Sequence, residues 1–84
     1  MSRKLVERTQ TGVRLEKSLL KVLKGLAEYC DLSLGDLLEG IVLHGFEGKA
    51  PFSSETQAAI ADRKKIYHCD LSAADSHQLR EANE

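Results

Sequence analysis

The sequence predicts a mainly α chain: one short β-strand, then two helices, closed as an intertwined homodimer and followed by a C-terminal helical extension. Residues 9–15 alternate in character, with Val13 and Leu15 on one face of an extended chain and Gln10, Gly12 and Arg14 on the other. Residues 16–46 then carry two apolar stripes of helical period, separated by a short polar turn. Aromatic residues make up only 5% of the chain and Trp is absent, so aliphatic side chains carry the apolar load. A lone strand has no ladder partner in such a chain, and a second copy is the simplest source of one. At 84 residues the core is small, and dimerisation is a common remedy.

The elements follow in order. Residues 1–8 are polar and basic and read as an arm; residues 9–48 form the strand-and-helix domain; residues 49–84 form the helical extension. In the first helix, residues 16–30, one face holds Leu19, Leu20, Val22, Leu23, Leu26, Ala27 and Cys30, while Lys17, Lys21 and Lys24 lie opposite. Gly25 interrupts this helix at about 1 kcal/mol against Ala; the sequence alone gives no account of it, and close packing is one reading. Asp31, Leu32 and Ser33 break the period. Ser33 then caps the second helix, with Asp36 three residues on. The second stripe is Leu34, Leu37, Leu38, Ile41 and Val42, with Gly45 at its end, and Gly48 and Pro51 terminate the helix. Ser54 and Gln57 form a capping box for a helix over about residues 55–66, closed by Arg63, Lys64 and Lys65 as the macrodipole favours. Ser72 and Asp75 open a last helix reaching about Ala82. The expected dimer core is Val13, Leu15, Leu23, Leu26, Leu38, Ile41 and Val42.

Net charge is −1, but it is unevenly placed. Residues 1–24 carry seven basic against two acidic residues, and residues 25–84 carry five basic against eleven acidic. A basic end on a near-neutral chain is a local footprint for a polyanion, doubled in a dimer. No apolar stretch is long enough to cross a membrane, and the N-terminus lacks the apolar region of a secretory signal, so a cytoplasmic protein with no membrane partner is expected. Cys30 and Cys69 have no CxxC spacing and read as reduced thiols. His44, His68, Cys69 and His77 have no metal-ligand spacing, and no Ser/His/Asp set or Gly-rich phosphate loop is present; no cofactor, metal or catalytic residue is expected.

Gln10, Gly12 and Arg14 on the strand, the helix ending in Leu26-Ala27-Glu28 and the Leu32-Ser33-Leu34 start of the second helix resemble the ribbon-helix-helix DNA-binding family, the MetJ/Arc/CopG class. The resemblance covers about residues 9–46. It implies that two chains pair their strands into an antiparallel ribbon that enters the major groove. Outward strand residues Gln10, Gly12 and Arg14 would then contact bases, and Gln and Arg suit this because both bond base edges bidentately. Ser33, Leu34 and Gly35, at a helix N-terminus, would bind a backbone phosphate, with Arg8 and Lys17 adding phosphate contacts. Two departures stand out: Gly12 offers no side chain at the central reading position, and Asp36 places an acid in the anion-binding turn.

These readings point to a homodimeric, sequence-specific DNA-binding transcriptional regulator, a repressor or autoregulator on double-stranded DNA. A helix-turn-helix reader is disfavoured because the second helix carries Asp36 and Glu39 and is mostly apolar. Two alternatives remain. One is an antitoxin whose tail, residues 50–84, binds a protein partner; the other is a plasmid or phage accessory protein using the same DNA contacts.

Overall fold

A computed structural model describes residues 4–82. Three helices of 13 residues each follow one another: α1 (Lys17–Tyr29), α2 (Leu34–Phe46) and α3 (Ser54–Ile66). A single 3-10 turn, Ala73–Asp75, follows them. Among the described residues there is no β-strand. The ribbon-helix-helix expectation is therefore corrected: the class is mainly α, without a ribbon. Alternation of side chains does not make a strand; ladder hydrogen bonds do. Three helices present no sheet edge, so residues 4–15 run as an exposed, irregular arm. Arg3, part of the expected basic arm, lies outside the described residues.

The helix boundaries follow from their caps. Ser33 Oγ accepts the Asp36 N–H at 3.1 Å, and Ser53 Oγ accepts the Thr56 N–H at 3.2 Å. The third helix therefore starts one residue earlier than Ser54 as cap would give. All three helices end alike. Asp31 (φ 57°), Gly48 (φ 69°) and His68 (φ 55°) adopt the left-handed conformation just past the C-cap. The next N–H then reaches back five residues: Leu32 to Ala27, Lys49 to His44 and Cys69 to Lys64, at 2.8–2.9 Å. This is the Schellman closure. The helix expected over residues 72–82 is corrected to one turn. His77 takes φ 65° two residues past that turn, and Leu79 is the one large apolar side chain that a continued helix would have offered for burial.

The core is small and centred on α1. Leu26, Ala27 and Leu37 are buried, with Leu23, Cys30, Ile41, Phe52 and Ile60 packed around them. Val22, Ala59 and Cys69 are also buried. Of the expected dimer core, only Leu26 is fully covered within the chain; Leu23, Leu38 and Ile41 are half-covered. Val13 stays 73% exposed, Leu15 41% and Val42 46%. Helix α3 packs on α1 more extensively than α2 does. Gly25 explains how: a Cβ there would meet Tyr67 Cε2 at 3.4 Å and Arg63 Cδ at 3.5 Å. Arg63 donates from Nε to the Gly25 carbonyl at 3.2 Å and from Nη1 to the Ala59 carbonyl at 3.1 Å. Its guanidinium lies 4.7 Å from the centre of the Tyr29 ring. Gly45, by contrast, has nothing within 4 Å and takes part in no helix crossing within the chain.

Candidate nucleic-acid interface

The basic residues of the first third are kept out of the core. Lys17, Lys21 and Lys24 are exposed on the face of α1 opposite Val22 and Leu26, and have no ion-pair partner among the described residues. Helical period does this: positions i, i+4 and i+7 share a face, and the buried stripe takes the other. Gln10 and Gly12 are exposed in the arm, and Gly12 has open space around it.

The expected contact residues gather in two places. In the first, Arg8 and Gln10 of the arm lie beside Ser33, Leu34 and Gly35 around a shallow groove of about 940 Å³. Arg8 is engaged there. It makes a bidentate bond to the Glu39 carboxylate, 2.9 Å at both oxygens, and stands 3.6 Å from Asp36. The Arg8 hydrogen bond holds the Glu39 carboxyl below the usual carboxylate range, and the same bond raises the Arg8 pKa. Thus Asp36, the acid in the first turn of α2, faces a guanidinium.

Arg14, Glu16 and Lys17 form the second place, with Leu79, Arg80, Glu81 and Ala82 of the C-terminal segment. The Arg14 side chain is 83% exposed and donates from Nη2 to the Glu81 carboxylate at 2.6 Å. Glu16 caps α1, accepting from the Ser18 hydroxyl at 2.5 Å and from the Ser18 and Leu19 N–H groups at 3.0 and 2.8 Å. These bonds, the Ser18 hydroxyl foremost, hold the Glu16 carboxyl below its usual range. The N-terminus of α1 is thereby filled by its own chain. The first turn of α2 is different: Ser33 takes the Asp36 N–H, and Leu34 and Gly35 line the groove.

Sequence reasoning did not find Glu81 or Arg80. Glu81 pairs with Arg14 across 67 residues and Arg80 lines the same pocket, and no local spacing marks such a meeting. His44 is spoken for within its own helix, with Nδ1 2.7 Å from the Gly40 carbonyl oxygen. No helix among the described residues is long and apolar enough to cross a membrane. No family model matches this chain, and neither a curated protein nor a solved structure matches it.

Proposed function

We propose that this chain is a homodimeric, sequence-specific DNA-binding protein, a transcriptional regulator of the repressor or autoregulator type, which holds duplex DNA through its arm and the lysine face of α1. One observation carries this reading. The seven basic residues of the first 24 stand against a chain that is otherwise acidic, and Arg14, Lys17, Lys21 and Lys24 are all exposed with no part in the core. Mobile counterions around DNA are released by such a cluster, which favours binding at low salt. Gln10 and Arg14 bring base-reading chemistry to an arm that needs no ribbon to reach a groove. Lys17 is placed to position the protein on phosphate.

The antitoxin reading wants residues 50–84 free for a partner. Helix α3 instead buries Ala59 against its own chain, and Cys69 is buried beyond it, which favours the regulator. The test is selection of bound sequences from random duplex DNA, followed by titrations at two salt concentrations. Arg14→Ala should weaken the selected site far more than random DNA, by about 1–3 kcal/mol for each bidentate pair of hydrogen bonds removed. Lys17→Ala should weaken both alike and flatten the salt dependence. Absence of salt-dependent binding to any duplex refutes the reading.

A further inference from the structure

We propose that the C-terminal segment is a built-in competitor for nucleic acid at Arg14, with the Glu81 carboxylate standing where a phosphate or a base edge would bind. The inference rests on the DNA-binding reading above.

The segment is a strap with a defined course. It leaves α3 at Cys69, which is 6% exposed. Lys64 Nζ holds the Leu71 carbonyl at 2.5 Å. The Asp75 carboxylate accepts the Ser72 N–H at 2.8 Å, and the Gln78 N–H returns to the Asp75 carbonyl at 3.0 Å. The backbone is therefore guided to within three residues of Glu81. Leu71 and Leu79 of the strap share an apolar cavity of about 460 Å³ with Leu19, Val22 and Leu23, so the strap lies along α1. Its end meets Arg14 and Lys17, at the opposite end of α1 from the turn into α2.

The chemistry at that end is that of an anion site already occupied. A guanidinium binds carboxylate and phosphate with the same N–H donors. Among its described residues the strap carries three carboxylates, Asp70, Asp75 and Glu81, against the single cation Arg80. The Arg14 and Glu81 side chains are 83% and 50% exposed, so the pair is open to exchange. A pair of this exposure competes without blocking; relieving it is worth about two- to fivefold in affinity.

The experiment is a titration of labelled duplex DNA at low salt with the full chain. The variants are Glu81→Gln, Glu47→Gln, and each combined with Arg14→Ala. Glu47 pairs with Lys49, so its substitution changes net charge equally without touching Arg14. Glu81→Gln is expected to tighten binding about two- to fivefold beyond Glu47→Gln, and Arg14→Ala is expected to abolish that difference. Equal effects of the two glutamine substitutions, with binding intact, overturn the competitor role and leave the DNA reading standing. A gain that persists in Arg14→Ala overturns it as well. Binding by no variant overturns both.

Discussion

Gly25 lies mid-way along α1 with its missing side chain turned toward Tyr67 and Arg63. Distances of 3.4 and 3.5 Å from an added Cβ are ordinary van der Waals contact, so one methyl fits and a longer side chain does not. Gly25→Ala should gain about 1 kcal/mol of helix propensity, raising the melting temperature by about 4–8 °C. Gly25→Leu should lower it by prising α3 from α1. Thermal melts followed by circular dichroism decide this, and a drop with Ala means the helix contact is tighter than the geometry implies. Glu16 is the second informative residue. Its carboxyl is held below the usual range in the folded chain and is ordinary in the unfolded one. Its stabilising effect is therefore complete above the ordinary carboxylate range and disappears as pH falls through the lowered folded value. Glu16→Gln should lower the melting temperature at neutral pH and converge with the parent in acid. Curves that stay parallel down the acid range show that the cap contributes nothing.

At the scale of elements, the three helices are bounded by repeated chemistry at both ends. Two of the three left-handed closing positions hold residues with a Cβ, Asp31 and His68, and one holds Gly48. The left-handed conformation costs a residue with a Cβ about 1–2 kcal/mol, and glycine little. His68→Gly should therefore stabilise by about 1 kcal/mol and Gly48→Ala should destabilise by a similar amount. Denaturant midpoints read both, and a stabilised Gly48→Ala would contradict the closure. The span of α1 and α2 is legible in the sequence because their stripes and Ser33 agree. Tandem serines blur the start of α3 by one residue. Residues 72–82 promise more helix than they form, because a capping box starts a turn but cannot extend it without apolar residues to bury. The strand fails for a deeper reason. Period-2 alternation reports which residues would share a face, while the hydrogen bonds that define a strand depend on a partner that no sequence window contains. The grip of α3 on α1 is equally hidden, since it rests on Ala59, Arg63 and the absence of a side chain at Gly25 rather than on a wide apolar stripe.

The whole molecule exposes 7565 Å², whereas a compact monomer of 9.3 kDa would expose about 5000 Å². Its radius of gyration is 14.3 Å against about 12 Å for a compact chain of this length. The excess includes the arm and the outer face of α2, where Leu43 and Phe46 are 63% and 82% exposed. Val6 of the arm joins Leu38, Val42 and Leu43 around one open cavity there. Such a face on so small a core fits the expected homodimer. Light scattering at micromolar concentration should give twice the 9.3 kDa chain mass, and Leu43→Asp with Phe46→Asp should return it to the monomer. A folded parent at single-chain mass would exclude a stable dimer. Of the candidate site, charge separation along the chain is readable, because it is a property of composition. The pairing of Arg14 with Glu81 is not, because it joins the two ends of the chain through the path of the strap.

That path passes through Cys69, and its burial gives the strap a chemical voice. A thiol closed off from water can be alkylated only in molecules that have opened, so its modification rate is the free-thiol rate scaled by the open fraction. Cys30, half-buried and placed on α1, supplies a second thiol in the same chain for comparison. Alkylation should thus proceed in two phases, the slower one belonging to Cys69. Substitutions that loosen the strap at its root will quicken that phase, whereas release at Glu81 alone, twelve residues further on, will leave it nearly unchanged. The chain carries its own stopwatch for local opening, readable by mass spectrometry at its two native thiols.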